Sequence, residues 1–417
     1  MAQLSNDCFA FGGPLMSVDE AVAIIAGRVA AVAESETVGI LHADGRILAA
    51  DVVAPVPLPP FTNSAVDGYA VRSADLDPDG SIFPVTGRVQ AGDPSRLPIA
   101  ARHAIRIFTG APMPEGADTV FMQEDVRLDS EGNVALPRGL KAGANVRPVG
   151  EDIAGGVTAL PAGSRLRPQD VALLAAFGLT ETKVQRRIRV AVFSTGNELV
   201  TPGASRASSQ QFDSNRFMLM AMLSRLGCHV KDLGIVTDDR TLLAAGLREA
   251  AGEHDLILTT GGVSTGEEDH VKAAVESVGS MVLWRMAIKP GRPVAMGIID
   301  GTPVIGLPGN PVASFVTFVH VVRPTVFALA GAVPQKLVPV PLRAAFSYRK
   351  KVERREYVRV FLRLGLDGLP EAVKFPREGA GLLSSLVETD GLVELGEQTT
   401  QVDPGDIVGF LSYSSLL

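Results

Sequence analysis

The spacing of apolar residues along the chain changes at about residues 50 and 150. "SVDEAVAIIAGRVAAVAE" begins with Ser17 and Glu20 at capping-box spacing and carries an apolar helical stripe, which predicts a helix. Short apolar runs separated by many prolines and glycines predict a β-rich module over residues 51–149. "RPQDVALLAAFGL", with Pro168 in its first turn and Gly178 after its end, predicts a second helix. We therefore expect a small helical domain at residues 1–50 plus 150–185, into which the β-rich module is inserted.

Residues 186–334 alternate predicted strands with predicted helices. The strands are "IRVAVFSTG", "DLGIV", "DLILTTGG" and "TPVIGLPGNP". The helices are "FDSNRFMLMAMLSRLG", with Asp213 as candidate N-cap, "RTLLAAGLREAAG", "HVKAAVESVG" and "VASFVTFVHVV". This alternation predicts a three-layer α/β domain with a mostly parallel sheet. Short strands return at residues 335–417 and predict a C-terminal all-β domain, so the fold class is multidomain α/β and β.

Composition narrows the function classes. The net charge of −7 argues against non-specific nucleic-acid binding, and we interpret the basic run "YRKKVERR" (Tyr348–Arg355) as a solvated strand end. The two cysteines, Cys8 and Cys228, are far apart, which fits a reducing compartment. The start of the chain lacks signal-peptide features, and the apolar run "VASFVTFVHVV" ends at Arg323-Pro324, short of the roughly 20 residues that span a bilayer. We expect a soluble, cytoplasmic protein that binds no membrane.

Three glycine-containing stretches follow predicted strands of the α/β domain. They are "STGNEL", "TTGGVSTGEED" and "GLPGNP". Ligands of open parallel sheets bind at the carboxyl ends of strands, where glycines let the backbone approach an anion. No G-x-x-x-x-G-K-[ST] or helix-opening G-x-G-x-x-G occurs. One such stretch alone is an ordinary tight turn, but three at one sheet edge predict a pocket for a phosphorylated ligand.

Acidic and basic residues accompany these glycines. Glu198, Asp238 or Asp239, and Asp269 come from different loops and together suit Mg²⁺, which takes carboxylates and phosphate oxygens; the alternative is that the aspartates cap helices. "WRMAIKPGRP" places three cations, Arg285, Lys289 and Arg292, around a Pro-Gly turn. The residues therefore predict metal-assisted phosphoryl or anhydride chemistry on an oxyanion or pyrophosphate.

Several longer motifs occur in order over most of the chain. They are "PPFTNSAVDGYAV", "IFTGAPMPEGADTVFMQED", "RPVGEDI", "STGNEL", "FDSNR", "TTGGVSTGEEDH", "IKPGRP" and "GLPGNP". Together they closely resemble the molybdopterin molybdenumtransferase family, which includes the bacterial MoeA proteins and the related E domains of plants and of gephyrin.

The resemblance implies the final step of molybdenum cofactor synthesis. Molybdate would be inserted into the dithiolene of adenylylated molybdopterin, the pyrophosphate link cleaved with Mg²⁺, and AMP released. It also implies four domains and an elongated homodimer whose cleft lies between the α/β domain of one subunit and the insertion domain of the other. The dithiolene sulfurs belong to the substrate, so no catalytic cysteine is expected.

The matching motifs carry the family's functional residues onto this chain. The resemblance implies catalytic roles for Asp67, Glu198, Asp238, Asp269 and Lys289, of which Glu198 and Asp269 are candidate Mg²⁺ ligands. It implies substrate binding by the following residues: Thr109, Arg147, Asp152, Gly261, Gly262, Ser264, Arg285, Arg292, Pro308, Gly309, Asn310, Pro311 and Ser384.

Structural roles remain open for some of these residues. Asp67-Gly68 is a common turn pair, Thr109 and Ser384 are candidate capping hydroxyls, and Arg147 with Asp152 is a candidate ion pair. The chain also departs from the commonest family pattern: it has Arg292 where the family often has lysine, Arg285 where the family sometimes has lysine, and Ala380 where serine is common. Arginine keeps the charge but presents a planar fork, so the oxyanion geometry is expected to differ.

Other functions are compatible with parts of the chain. The α/β domain also resembles molybdopterin adenylyltransferase, a candidate partner that makes the same intermediate, but that enzyme lacks the other domains. A scaffold role like that of gephyrin depends on a fused domain and long linker, and nothing like this linker follows the motifs. Tungstate has nearly the size and charge of molybdate, so the residues do not separate these two substrates.

Overall fold

The computed structural model describes residues 15–32, 34–93, 98–236, 240–261 and 270–417. Within these ranges the α-helices are α1 (Val18–Arg28), α2 (Pro168–Ala176), α3 (Asn215–Arg225), α4 (Arg240–Glu253), α5 (His270–Val278), α6 (Pro311–Thr317), α7 (Arg323–Leu329) and α8 (Ser384–Val387). The predicted capping box of α1 is confirmed, because Ser17 Oγ accepts from the Glu20 N–H and the Glu20 carboxylate accepts from the Ser17 N–H. Pro168 is the first residue of α2, and Gly178 follows that helix with φ +75°.

The strands before the α/β domain are short. They are β1 (Ser35–Gly39), β2 (Val52–Val53), β3 (Asn63–Ser64), β4 (Gly68–Val71), β5 (Ser81–Val89), β6 (Ala104–Ile107), β7 (Thr119–Met122), β8 (Arg127–Leu128), β9 (Asn133–Leu136), β10 (Val146–Arg147), β11 (Thr158–Leu160) and β12 (Glu181–Gln185).

The remaining strands belong to the α/β domain and the C-terminal domain. They are β13 (Arg189–Thr195), β14 (Leu199–Val200), β15 (Gln211–Phe212), β16 (His229–Val236), β17 (Leu256–Thr260), β18 (Ser280–Arg285), β19 (Ile288–Lys289), β20 (Pro293–Ile299), β21 (Thr302–Leu307), β22 (Val340–Ala344), β23 (Tyr348–Arg349), β24 (Arg355–Leu364), β25 (Pro370–Lys374), β26 (Gly391–Leu395), β27 (Gln401–Val402) and β28 (Ile407–Ser412).

The part predicted as a small helical domain contains strands as well as a helix. Antiparallel pairs β1–β12 and β2–β11 join its two chain segments, and α2 completes a core around Leu48, Leu166 and Leu174. The sequence does not predict β1 and β12, because both are short and mostly polar; β1 is largely exposed, and β12 buries only Thr182 and Val184. Helix α1 does not pack in this domain. It packs against α7 and the turn before it in the α/β domain, where Val18, Ala21 and Ile25 are buried.

The β-rich module forms a six-stranded sheet in the order β7-β4-β6-β5-β9-β8. Its two faces cover separate apolar clusters, one around Phe83 and Phe121 and the other around Ile105 and Val120. Gly68 of β4 is required by close packing, because a Cβ there would lie 1.8 Å from the Phe121 carbonyl oxygen. The β-rich module thus has its own core. In sequence it is inserted between the two chain segments of the domain that contains α2.

The α/β domain is a three-layer structure around a sheet in the order β16-β13-β17-β21-β20-β18. The pairs β13–β16, β13–β17 and β17–β21 are parallel, while β20 runs antiparallel to both neighbours. Alternate residues of β13 face opposite layers. Val190 and Val192 pack with α1, α3, α6 and α7, and Ala191 and Phe193 pack with α4 and α5.

Two sequence predictions in this domain were wrong in detail. Helix α3 begins at Asn215 with Ser214, not Asp213, at the N-cap position, but the Asp213 carboxylate still accepts from the backbone N–H of Arg216 at 3.3 Å and also from its Nε at 2.8 Å. The apolar segment after residue 311 does not end at Arg323-Pro324 but continues through a π-helical turn, Phe318–Val322, to Leu329. Pro324 lacks the N–H that an α-helical bond would need, so the wider turn just before it accommodates the ring within one helix.

This continuous segment, Pro311–Leu329, forms the central helix of the structure. By length and composition it is apolar enough to cross a membrane, but 89% of it is buried inside the protein. It packs against α1 and the sheet on one side, and its π-helical turn carries His320 against Tyr357 of the C-terminal domain, with ring centroids 4.5 Å apart.

The C-terminal domain is a closed β-barrel. Strands β24, β25, β22, β28 and β26 pair in that order, and β24 pairs again with β26 to close the ring. The two-residue strand β19, which comes from the α/β domain, adds to β24 in parallel. Arg355 of β24 also reaches α1, where it donates to Asp19 at 2.8 Å.

The position of His320 predicts a pH dependence of stability. Burial, with smaller contributions from Arg355 and Arg323, lowers the pKa of His320 to about 3. Between pH 6.5 and 3 the unfolded chain therefore binds one more proton than the folded chain, and stability falls as the pH falls. His320→Phe removes this proton and keeps the stacking on Tyr357, so its free energy of unfolding should fall less steeply, by about 1 kcal/mol per pH unit.

Urea unfolding of both proteins at pH 7, 5.5 and 4.5 measures the slope. His42→Asn, which changes an exposed histidine, is the control and should retain the slope of the unmodified chain. An unchanged slope in His320→Phe would contradict the assignment of this pH dependence to His320.

Candidate active site

A cavity of about 380 Å³ lies where the C-terminal barrel meets the α/β domain. Its walls come from the "IKPGRP" segment, the "GLPGNP" loop, strands β24 and β25, and the loop after β25. Six of the lining side chains are cationic: Lys289, Arg292, Arg354, Arg359, Lys374 and Arg377. A concave site with this charge is suited to an anion.

The backbone register explains how Lys289 reaches this cavity. In the parallel pairing of β19 with β24, Lys289 lies opposite Glu356. Lys289 Nζ lies 3.2 Å from both Glu356 Oε2 and the Tyr348 hydroxyl oxygen, and 5.7 Å from the centre of the Tyr348 ring. Pairing between two domains therefore fixes the lysine that the sequence placed next to a Pro-Gly turn.

Carboxylates neutralise only some of the cavity cations. Glu356 accepts from Lys289 and, at 2.6 Å, from Arg354, while Glu378 accepts from Lys374 at 2.8 Å. Arg292, Arg359 and Arg377 have no carboxylate partner among the residues that the structure describes, and Arg377 donates to the Ser384 hydroxyl instead. Three guanidinium groups without counter-charges favour the binding of a multiply negative oxyanion.

Arg359 is the most unusual of these three cations. Its side chain is 8% exposed, and its Nε has no hydrogen-bond partner within the described ranges. Burial lowers the pKa of Arg359 from its usual value, although a guanidinium remains protonated at neutral pH. An N–H group that is buried and unsatisfied at the wall of a cavity points to an acceptor that binds there.

A second part of the site lies at the carboxyl edge of the α/β sheet. Gly261, directly after β17, has φ +87°, and a Cβ there would lie 2.6 Å from the Thr195 carbonyl oxygen. Only glycine satisfies both conditions. Glu198 is exposed, and its carboxylate folds over Gly196, whose φ is +142°. The predicted turn at this edge is therefore present in the described residues.

One buried amide connects this edge with the cavity. Asn215 Nδ2 donates to Thr260 Oγ1 at 3.0 Å and to the Gly309 carbonyl at 2.7 Å. Thr260 Oγ1 in turn donates to the Pro308 carbonyl at 3.3 Å, and Pro308 lines the cavity. The "GLPGNP" loop is thereby held between the sheet edge and the cationic wall, so it connects the two parts structurally.

Several buried polar atoms at the sheet edge lack partners in the described part of the chain. They are Ser194 Oγ, Thr195 Oγ1, Thr259 Oγ1 and Asn215 Oδ1. A buried hydroxyl or amide oxygen without a hydrogen bond is costly, so such a group is normally satisfied by water or a ligand. Their clustering at the ends of two neighbouring strands supports a polar ligand here.

The same edge offers oxygen donors of the kind that Mg²⁺ prefers. Glu198 supplies one free carboxylate, and the unsatisfied hydroxyls lie at the ends of the strands beside it. Within the described residues no group of three or more metal-ligating side chains occurs. A Mg²⁺ ion that takes one protein carboxylate and completes its shell with water and phosphate fits this set of donors.

The insertion domain holds the other predicted residues. Asp67 Oδ1 accepts from both the backbone N–H and the hydroxyl of Thr109, each at 2.8 Å. These two bonds lower the pKa of Asp67, so it is ionised at neutral pH. Arg147 and Asp152 are exposed and make no ion pair with each other, so the ion-pair alternative was wrong. None of these residues lines the cavity.

The remaining predicted residues fall in different places. Lys289, Arg292, Pro308 and Asn310 line the cavity, whereas Arg285 does not. Pro311 begins α6, and Ser384 accepts from Arg377 at 3.2 Å. Asp238, Gly262, Ser264 and Asp269 lie outside the described residues, as does Asp239.

Sequence reasoning missed the part of the cavity contributed by strand β24. The run "YRKKVERR" is not a solvated strand end: Tyr348 and Arg354 line the cavity, and Lys350 is buried and donates to three backbone carbonyls. The signal was the alternation in "ERREYVRV", which directs Glu356 to one side of the strand and Tyr357 and Arg359 to the other, where both line the cavity.

Comparison with known proteins agrees with this architecture. Residues 16–178 match the family model described as "MoeA N-terminal region (domain I and II)", residues 191–328 "Probable molybdopterin binding domain", and residues 341–413 "MoeA C-terminal region (domain IV)". The molybdopterin molybdenumtransferase of Haemophilus influenzae is 36% identical over 97% of this chain and 100% of its own length. The Nostoc protein of the same name is 35% identical over 89% of this chain and 87% of its own.

Solved structures show the same likeness. Two crystal structures of the molybdopterin biosynthesis MoeA protein from Pyrococcus horikoshii superpose with TM-scores of 0.79 and 0.73, at 27% and 31% identity. Both cover 96% of this chain, and 100% and 99% of their own chains. Fold and site together define a multidomain α/β transferase of molybdenum cofactor biosynthesis. Within that class, the chain belongs to the molybdopterin molybdenumtransferase family.

The unpaired Arg359 predicts a loss of oxyanion affinity on substitution. Arg359→Gln keeps polarity but removes the buried charge and its N–H fork, so the dissociation constant for molybdate should rise by at least about tenfold. Equilibrium dialysis with molybdate alone measures this constant without turnover.

A matched control lies on the same strand. Arg363→Gln removes a guanidinium that pairs with Glu371 and does not line the cavity, so its molybdate affinity should equal that of the unmodified chain. Equal affinity in both variants would show that Arg359 does not contact the oxyanion.

Proposed function

We propose that the protein inserts molybdate into adenylylated molybdopterin, cleaves the pyrophosphate link with Mg²⁺ and releases AMP. One observation carries this proposal: a cavity with three guanidinium groups that lack carboxylate partners is joined by one loop to a sheet edge with unsatisfied polar atoms. A substrate that combines an oxyanion with a nucleotide-linked phosphate needs both features in contact.

The cavity residues would hold the oxyanion. Arg359 and Arg292 supply charge-assisted donors, and Lys289, kept in place by Glu356 and Tyr348, supplies a third. A tetrahedral dianion accepts such donors from several directions at once. These residues therefore bind and orient molybdate for attack by the sulfur atoms of the substrate.

The sheet edge would hold the phosphate and pterin part. Gly261 lets the backbone approach the ligand closely, and Ser194, Thr195 and Thr259 offer hydroxyls that have no other partner in the described structure. We assign Gly262 and Ser264 to the same loop function from their motif. Asn215 keeps the Gly309 carbonyl and the adjoining loop in register, so both parts of the substrate are placed together.

Glu198 is the described residue that would hold Mg²⁺, with Asp269 and Asp238 as further candidate acids by motif. The ion, when bound, would neutralise charge on the bridging phosphates. The exposed position of Glu198 above Gly196 leaves its carboxylate free to take this role.

Asp67, Thr109, Arg147 and Asp152 would act from a second copy of the chain. They lie in the insertion domain, and none lines the cavity of their own chain. The ionised Asp67 is oriented by Thr109 and does not line the cavity of its own chain. This arrangement favours a homodimer whose cleft is completed in trans, with adenylylated molybdopterin supplied by the adenylyltransferase.

The direct test is an anaerobic assay with adenylylated molybdopterin, Mg²⁺ and either molybdate, tungstate or no oxyanion. We expect AMP release that depends on both Mg²⁺ and the oxyanion, together with recovery of active cofactor. AMP release without an oxyanion would indicate simple hydrolysis. Substrate binding without any release would leave a carrier or scaffold as the function.

Mixing of two inactive variants tests the contribution of the second copy. Asp67→Asn and Lys289→Met each should be inactive alone, since each damages every site of its own dimer. Co-expressed dimers that contain one of each keep one intact site, so the mixture should recover about a quarter of normal activity. No recovery, although sedimentation shows mixed dimers, would place Asp67 and Lys289 in the same subunit's site.

A further inference from the structure

Glu356 is a buried carboxylate directly behind the wall of the cavity. Its side chain is 1% exposed, and it is not among the residues that the motifs identified. Oε2 accepts from the Tyr348 hydroxyl at 2.7 Å and from Lys289 Nζ at 3.2 Å, and Oε1 accepts from Arg354 Nε at 2.6 Å. All three donors line the cavity, so one carboxylate holds three of its functional groups.

The charge of Glu356 acts on whatever anion enters the cavity. Burial raises the pKa of Glu356, but the bonds from Tyr348 and Lys289 outweigh burial and leave the pKa below its ordinary value. The carboxylate is therefore ionised at neutral pH, and little solvent is present to screen it. A dianion in the cavity is repelled by Glu356 and must compete with it for Lys289 and Arg354.

This competition opposes tight binding, which suits a reaction that transfers the oxyanion. A pocket in which every cation is free would bind molybdate strongly in the ground state, and ground-state binding alone does not accelerate its transfer. The wall as it stands divides its cations between those engaged by carboxylates and those without a carboxylate partner among the described residues, which are Arg292, Arg359 and Arg377.

We propose that Glu356 is a positioning residue that sets the affinity of the oxyanion site. It holds Lys289 and Arg354 in fixed places and competes with the oxyanion for them, so that molybdate is bound in the correct orientation but remains transferable. This inference rests on the proposed function, because it takes a transferred oxyanion as the ligand.

A purely structural role makes a different prediction. Glu356 also joins β24 to β19 and β23, so its role could be only to hold the barrel and the α/β domain together. If so, its loss would loosen the cavity and weaken both oxyanion binding and transfer. If Glu356 instead competes with the oxyanion, loss of its charge would strengthen binding and slow transfer.

The experiment measures binding and transfer separately in Glu356→Gln, which keeps the side-chain shape and removes the charge. Equilibrium dialysis with molybdate alone gives the dissociation constant, and single-turnover AMP release at saturating molybdate gives the transfer rate. We expect the dissociation constant to fall by about tenfold, which means tighter binding, and the transfer rate also to fall by about tenfold. A general loosening of the cavity would weaken binding, so it would not give tighter binding together with slower transfer.

Glu371→Gln is the matched control. Glu371 lies on β25 of the same barrel and is bonded to Arg363 and Arg343, but it does not line the cavity. Its substitution should leave both quantities unchanged.

In a Lys289→Met background, Glu356→Gln should tighten molybdate binding by a smaller factor, because no ammonium is left for the carboxylate and oxyanion to share.

The outcomes separate the inference from the proposed function. If the unmodified chain does not bind molybdate, the proposed function fails and this inference fails with it. If the unmodified chain binds molybdate but a folded Glu356→Gln binds it equally or more weakly, only the inference is wrong. Thermal melting establishes whether the variant is folded.

A second variant covers the case in which Glu356→Gln does not fold. The double variant Glu356→Gln with Arg354→Met removes the carboxylate together with one of its cations, so it leaves less buried charge unpaired while still freeing Lys289. It should bind molybdate at least as tightly as the unmodified chain. Weaker binding would overturn the proposal.

Discussion

The pairing of two residues from the α/β domain with a strand of the C-terminal barrel is the contact on which the site depends. Strand β19 adds to β24 and places Lys289 opposite Glu356. The "IKPGRP" turn belongs to the α/β domain and Arg359 belongs to the barrel. Without this pairing the two would not be held together, and their charges would not face one cavity. Since like charges repel, this concentration of cations is tolerable only because Glu356 and Glu378 engage three of them.

The central helix makes this pairing rigid. Pro311–Leu329 packs against the sheet and α1, and its His320 stacks on Tyr357 of the barrel, next to the strand that carries Arg359. Arg355 extends the same contact to Asp19 of α1. The loop that begins this helix is bonded to Asn215 at the sheet edge. One buried element thus sets the distance between the cationic cavity and the proposed phosphate site.

The accuracy of the sequence-based predictions depended on how local each signal was. Capping residues of α1, the proline and glycine of α2, and the strand-helix alternation of the α/β domain are local signals, and each predicted its element. Strands β1 and β12 were missed because their burial comes from a partner about 150 residues away, not from their own pattern. The helix past Pro324 was cut short because burial of its apolar residues outweighs the local penalty of proline.

The sequence by itself determined the family, the order of the domains and the motif residues, because these depend on residue identity and spacing along the chain. Only the tertiary structure decided which charges meet: it joined Lys289 to Glu356, left three cavity arginines without carboxylate partners in the described part of the chain, and buried Arg359 beside the cavity. The physical reason is that electrostatic interactions depend on distance and solvent exposure, which are set by the packing of segments remote in the chain. The affinity of the site is therefore a property of the domain junction, which no single motif encodes.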